Sequence, residues 1–316
     1  MPGVQRTVTL RFLAAPMDAN ERGVVGGGTV LEWIDKAGYA CAVGWSGTYC
    51  VTAYVGHIEF RRPIPVGSLV EITSRIVHTG RTSIHIECTV ASGDPREPAL
   101  AVNTQCVLIF VAMHDGRPTP VPEWRPETEE DRLLQERAVF RMGGRKAIEA
   151  DMARQRYTEA TESWRQVLRF LAAPSDVNWG GKVHGGSVMR WIATDARLVA
   201  ETWQRGPAVA VFGGGVRFYR PLLIGDLVEV EGRLIHTGST SMQISVHVRS
   251  GDPTSGELRL TTHCAMVYVA VDESGRKVPA RPWVPQLPED VALDQHARTL
   301  IEIRRDLARP LEFDRR

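Results

Sequence analysis

One feature constrains this chain before any other: it contains the same stretch twice. Arg11-Phe12-Leu13-Ala14-Ala15-Pro16 recurs as Arg169-Phe170-Leu171-Ala172-Ala173-Pro174, a shift of 158. The same shift carries Phe60, Arg62, Pro63 and Gly67 onto Phe218, Arg220, Pro221 and Gly225. It carries His78-Thr79-Gly80 onto His236-Thr237-Gly238, Gly93-Asp94-Pro95 onto Gly251-Asp252-Pro253, and Cys106 onto Cys264. One inserted residue near Asp115 moves the shift to 159, after which Trp124 meets Trp283. Matches held in order over this distance mean a duplicated unit, and each copy of about 130 residues has the size of an ordinary domain. The boundaries read as 1–126 for the first unit, 127–160 for a charged helical linker, 161–286 for the second unit and 287–316 for a terminal helix and tail.

Each copy predicts the same elements. A strand (Gln5–Ala14; Trp164–Ala172) runs into a polar loop carrying Asp18 and Asn20, or Asp176 and Asn178. A glycine group follows, Gly26-Gly27-Gly28 or Gly185-Gly186, and then a helix, about Thr29–Val43 and Ser187–Thr202. Val30, Trp33, Ile34, Ala37 and Cys41 recur at helical spacing, which gives the first of these helices one apolar face. Strands rich in β-branched residues come next: Val70–His78, Ser83–Ala91 and Ala101–Met113, matched by Val228–His236, Ser241–Arg249 and Leu258–Val271. His-Thr-Gly and Ser-Gly-Asp-Pro turns separate them. One helix followed by antiparallel strands is an α+β unit, a sheet wrapped over one helix. Glu130–Arg141 and Glu289–Leu300 read as charged helices after each copy. Gly143-Gly144 is expected to break the first, with Lys146–Arg156 as a solvated linker and the residues after Leu307 as a frayed tail.

Charge and cysteines exclude several classes. The chain of 316 residues has a formal net charge of +1, so it exerts no bulk pull on nucleic acid or an anionic membrane. With 43% hydrophobic and 24% charged residues it has the balance of a soluble globular protein. Five cysteines form no C-x-x-C pair, and the odd count leaves at least one thiol free. That favours a reducing compartment and speaks against a disulfide scaffold or a zinc ribbon. Met1–Leu10 lacks the pattern of a signal peptide, and no run of about 18 apolar residues suggests a membrane span.

The chemistry points to the glycine groups. The first amides of a helix have no internal partner and sit at the positive end of the helix dipole, so they can hold the oxygen of a polarised carbonyl. The glycines serve equally to pack the helix tightly under a sheet. Asp35 lies in the second turn of the first helix, among residues that look buried. A carboxylate there is costly unless paired or used. Partial burial would bring its pKa toward neutrality and suit it to take a proton from water; an acid favoured by the helix dipole is the alternative. The repeat mate of Asp35 is Ala193, and Asp195 faces elsewhere because two residues turn a helix by about 200°. The copies are therefore chemically unequal.

Asp-x-Asn, then Gly-Gly, then an acid seven residues on, resembles the hotdog-fold acyl-CoA thioesterases. The segment Phe-x-Arg-Pro-x-x-x-Gly-(Ser/Asp)-x-Val-Glu and the turn His-Thr-Gly-x-Thr-Ser, each present twice, strengthen the likeness. The closest resemblance is to the YciA and cytosolic acyl-CoA hydrolase group in its tandem form. It implies two hotdogs paired as an intramolecular pseudo-dimer, with sites at their interface and Asn and glycine amides facing an acid from the other hotdog. One site would then hold Asn178, His184, Gly185 and Gly186 opposite Asp35. The other, degenerate, would hold Asn20, Gly27 and Gly28 opposite Ala193. His184 fits the family's His-Gly-Gly, though a structural loop histidine is the competing reading. Arg81, Thr82, Ser83, Thr240 and Ser241 could contact coenzyme A phosphates or be plain turn residues. The resemblance implies hydrolysis of acyl-CoA, no metal, no cofactor beyond the coenzyme A of the substrate, and a homo-oligomer such as a trimer of double hotdogs; charge, apolar runs and cysteine usage point to a cytoplasmic setting with no membrane or nucleic-acid partner. A hotdog hydratase or dehydratase and a non-catalytic acyl-CoA-binding module are the competing functions.

Overall fold

The computed structural model describes residues 2–308; the expected frayed tail from 309 onward lies outside the described residues. The first repeat runs β1 (Thr7–Leu13), α1 (Gly27–Ser46), β2 (Cys50–Phe60), β3 (Leu69–Thr79), β4 (Ser83–Gly93), β5 (Ala101–His114) and a short β6 (Arg117–Pro118). Helix α2 (Glu129–Ala153) leads to the second repeat: β7 (Arg165–Leu171), α3 (Gly185–Gln204), β8 (Ala208–Phe218), β9 (Leu227–Thr237), β10 (Ser241–Gly251) and β11 (Arg259–Ala270), closed by α4 (Pro288–Ala308). The expected elements stand where periodicity placed them. Strands β2 and β8 are additions. Glycines and polar residues interrupt them (Gly56-His57; Gly213-Gly214-Gly215), so no clean alternation announces a strand.

Those two strands join the halves. The strand order is β1-β3-β4-β5-β2-β8-β11-β10-β9-β7, with β6 paired to β5. At the junction Tyr54 faces Arg217, Val55 faces Val216, Ile58 faces Gly213 and Glu59 faces Phe212, antiparallel. Phe212 is the repeat mate of Tyr54, and Arg217 is that of Glu59. The contact is thus self-complementary, like a two-fold dimer interface inside one chain. A β2 edge left alone would expose unpaired backbone groups, and the second copy covers it.

Under the continuous sheet α1 and α3 pack against each other. A Cβ on Gly28 would stand 2.9 Å from the Cα of Arg190, and one on Gly186 would stand 2.7 Å from the Cα of Glu32. Arg190 is the repeat mate of Glu32, so the two close approaches are the same contact seen from either side. Any side chain at 28 or 186 would push the helices apart. The core lies between these helices and the sheet, with Ile34, Ala37, Cys41, Ile72, Ile86 and Leu108 fully buried in the first repeat and Ala196, Val199, Val230, Ile244 and Val246 in the second. All five cysteines are free and buried.

The charged segment departs from expectation. Gly143-Gly144 does not break α2, which continues to Ala153. The glycines instead admit a neighbour: a Cβ on Gly144 would stand 2.4 Å from Leu307 of α4. Nor is the helix solvated all round. Leu134 and Ala138 bury against Val77, while Ile148 and Met152 bury with Ala265 and Leu300. Tertiary packing outweighs the roughly 1 kcal/mol that a glycine costs a helix.

Candidate active site

Asp35 sits on α1, 2% exposed, and three groups hold it. The Thr52 hydroxyl on β2 donates to Oδ1 at 2.8 Å. The Gly186 amide, in the first turn of α3, donates to Oδ2 at 2.8 Å. His184 Nδ1 stands 3.0 Å from the same Oδ2. Burial is the largest influence on this carboxyl and raises its pKa; His184, the Thr52 hydroxyl and the Gly186 amide pull the other way.

His184 is the N-cap of α3, and its Nδ1 also accepts from the Gly186 amide at 3.0 Å. Accepting there and donating to Asp35 exclude each other at one nitrogen, so the tautomer of His184 decides which of the two bonds it makes. A side chain on Gly185 would crowd the acid, since its Cβ would stand 3.0 Å from both Asp35 Oδ2 and Thr52 Oγ1.

Asn178 closes an Asx turn. Its Oδ1 accepts from the amides of Gly180 at 2.8 Å and Lys182 at 3.1 Å, and from the Tyr49 hydroxyl at 3.4 Å. Asp35, Asn178, His184 and Gly185 all line one cavity of about 320 Å³ between the repeats. Tyr39, Tyr49, Cys50 and Met113 wall it from the first repeat, Val188, Phe218 and Leu222 from the second. Tyr39 stacks on Trp179, ring centroids 4.3 Å apart. Two cations line the same space, Lys182 and Arg220. Desolvation pushes the Cys50 thiol up to about 11, so it stays protonated and is a poor nucleophile. Among the described residues no group of three or more His, Cys, Asp or Glu is arranged to hold a metal ion.

The related junction keeps the Asn and the glycines but differs at the acid, the histidine and the threonine. Gly27 approaches Ala210, its Cβ position 3.9 Å from the Ala210 Cβ, as Gly185 approaches Thr52. The acid is Ala193, the histidine is Gly26 and the threonine is Ala210. Asn20 keeps its turn, accepting from the Arg22 amide at 2.9 Å. Ion pairs bridge this side: Arg197 to Glu21 at 2.9 Å, and Arg22 to Glu201. Arg197 and Glu21 are the repeat mates of Tyr39 and Trp179, so an ion pair stands where the first junction has an aromatic stack.

The structure therefore brings together Asp35, Asn178, His184, Gly185 and Gly186, and sets Gly27 against Ala210 and Gly28 against Arg190, on the helix that carries Ala193. The turns with Arg81, Thr82 and Ser83, and with Thr240 and Ser241, stand outside the cavity lining. Asp195 does face elsewhere, into the second repeat's core. Thr52 is the residue that sequence reasoning missed. Its signal was the repeat comparison itself, because Thr52 becomes Ala210 in the copy that also loses the acid. Tyr39, Tyr49 and Lys182 carried no motif, whereas Arg220 is the arginine of the second Phe-x-Arg-Pro segment.

The family model described as thioesterase superfamily matches residues 22–99 and 180–257, two segments again 158 apart. The acyl-CoA thioester hydrolase YciA of Salmonella typhimurium is 33% identical over 116 residues, 36% of this chain and 87% of that protein. The chain belongs to the thioesterase superfamily. The cytosolic acyl coenzyme A thioester hydrolase of Homo sapiens is 26% identical over 315 residues, covering 92% of this chain and 81% of that one, so this superfamily likeness extends across both repeats. Among solved structures, a Lactobacillus plantarum protein described as an oleoyl thioesterase overlays with a TM-score of 0.59 at 12% identity, over 89% of this chain and 100% of its own, which shows the shared fold. No helix among the described residues is long and apolar enough to cross a membrane.

Proposed function

We propose that this thioesterase-superfamily chain hydrolyses acyl-CoA to a free acid and coenzyme A at one live site between its repeats. The observation that carries the reading is a buried carboxylate from one repeat, Asp35, held at the start of the other repeat's helix on a cavity that also contains Asn178. A carboxyl buried at this cost yet lining a cavity, and held by donors from both repeats, supports a catalytic role over a purely binding one.

In this reading Asp35 takes a proton from water, or attacks the thioester carbon itself; both routes need its ionised form. Thr52 and the Gly186 amide stabilise that form by hydrogen bonds, and the His184 ring stands beside it. The Gly186 amide already serves Asp35, whereas the Gly185 amide opens the helix, lines the cavity and donates to no protein group in the described structure. Gly185 is thus the better placed of the two to polarise the thioester carbonyl. Asn178, fixed by its turn, orients the water or the thioester. Lys182 and Arg220 are the cations nearest to hand for coenzyme A phosphates; Arg81, Thr82, Ser83, Thr240 and Ser241 would reach them only from outside this cavity. Asn20, Gly27, Gly28 and Ala193 form a site without an acid.

The setting is a cytoplasmic homo-oligomer, three double hotdogs in the simplest arrangement, acting without metal or added cofactor. A thiol-release assay over acyl-CoA substrates from short to long chains tests the activity. Release above background that vanishes in Asp35→Asn supports the reading, and no release from any chain length sinks it.

A further inference from the structure

The sheet carries a second cavity on the face away from α1 and α3. Helices α2 and α4 cover it, and β2 and β8 floor it where the repeats join. The wall is mostly apolar, with Val107, Ile109, Ala138, Ile148, Leu300 and Leu307. Three guanidinium groups, those of Arg141, Arg145 and Arg304, line the same space. Two carboxylates answer them. Arg141 reaches Glu87 at 3.4 Å, and Arg145 stands 3.5 Å from Glu149, which Arg217 also contacts at 3.0 Å. Arg304 meets no carboxylate among the described residues. It lies over the Phe212 ring, 4.6 Å from its centroid, and makes one long hydrogen bond to Gln243 at 3.4 Å.

Positive charge therefore exceeds negative charge around a largely apolar space. Burial lowers Arg304 to about 10, which leaves it charged at neutral pH. A cation held in such surroundings without a counter-ion is costly, and an anion that brings its own apolar tail relieves the cost. The space measures about 60 Å³. At ~10–15 Å³ for each water-sized occupant, it takes roughly four to six non-hydrogen atoms.

We propose that this cavity binds a short alkyl carboxylate, its oxygens on Arg304 and Arg141 and its tail against Ile109, Ile148 and Leu300. The same strand serves both cavities: Cys50–Ala53 line the first, Tyr54, Gly56 and His57 the second, and the β2–β5 register shifts between Thr52 and Tyr54. A short free acid is also what hydrolysis of a short acyl-CoA releases, so the ligand class includes the product. That last link rests on the thioesterase reading; the binding does not.

Calorimetric titration of the full chain with sodium butyrate tests the site. Saturable binding is expected, and it should weaken roughly tenfold or more in Arg304→Met, since a charge-assisted bond contributes about 1.5–3 kcal/mol. Butanol has the tail without the charge and inorganic phosphate the charge without the tail; both should bind at least roughly tenfold more weakly than butyrate. Arg141→Gln, at a partly exposed helix position, carries the same expectation if Arg304→Met loses its fold. Equal butyrate affinity in the parent and the folded arginine variant, phosphate binding as tight as butyrate, or no saturable binding would overturn the proposal. The readout needs no turnover, so failure here leaves the hydrolase reading standing, and failure of thiol release leaves this site standing.

Discussion

Asp35 Oδ2 and His184 Nδ1 meet at 3.0 Å across the junction of the two repeats, and neither has its counterpart on the other side. Their repeat mates are Ala193 and Gly26. A two-fold dimer of identical chains cannot make such a pair once; it must make it twice. Duplication within one chain removes that constraint, and here one junction keeps acid, histidine and threonine while the other keeps none of the three.

Asp35→Asn should lower turnover on a good acyl-CoA by roughly 10²–10⁴-fold, the contribution expected of a positioned acid or base. The change is nearly isosteric, and the melting temperature should stay close to the parent's. Near-normal turnover in the folded variant would remove Asp35 from the mechanism.

Activity should fall on acidification at a pH above the ordinary carboxylate range, because burial raises Asp35. The Thr52 hydroxyl favours the ionised form, so Thr52→Ala should move the acid limb of kcat/KM to still higher pH, besides lowering the plateau. A pH profile for the parent and the variant decides this. An unmoved limb would mean that the bond from Thr52 to Asp35 does not act in catalysis.

Asn178→Ala should damage turnover much more than Asn20→Ala. Asn178 shares its cavity with Asp35, whereas Asn20 lies on the side of Ala193. A positioning hydrogen bond in a water-poor site contributes about 2–4 kcal/mol to the transition state, so the gap should be roughly 30-fold or more. Turnover of both variants on one substrate, with melting checked, tests it. The reverse order would place acid and Asn within one repeat, and equal large losses would mean that both junctions work.

Asp195 is fully buried in the second repeat, and among the described residues no side chain donates a hydrogen bond to its carboxylate, beside which the Gly232 backbone amide stands. Desolvation, with Glu231 adding to it, pushes it up to about 8 from an ordinary 3.8. The folded state therefore keeps a proton that the unfolded chain has already released. This part of the stability is full below pH 3.8 and is lost as pH rises through about 8. Asp195→Ala, the residue found at the mate position Ala37, should raise the melting temperature at pH 8 and flatten its decline between pH 4 and 8. Melting curves across that range would refute the account if the variant kept the parent's slope.

Much was legible in the sequence because duplication writes each local signal twice. The strands with unbroken β-branched runs, the two helices after the glycine groups and the unequal pair Asp35 and Ala193 follow from pattern and spacing alone, and so does the family likeness carried by the ordered motifs. What the sequence could not show is distance. Strands β2 and β8 have no clean alternation because their glycines and His57 serve the junction, and that pairing brings His184 to Asp35 over a separation no spacing rule spans. Helix α2 runs through Gly143-Gly144 because Leu307, far along the chain, packs there. Thr52, Tyr49 and Lys182 became site residues only when the halves closed, since a cavity between two domains belongs to neither stretch of sequence. Periodicity and turn chemistry act over a few residues and can be read in one dimension; a buried carboxyl finds its partners only in three.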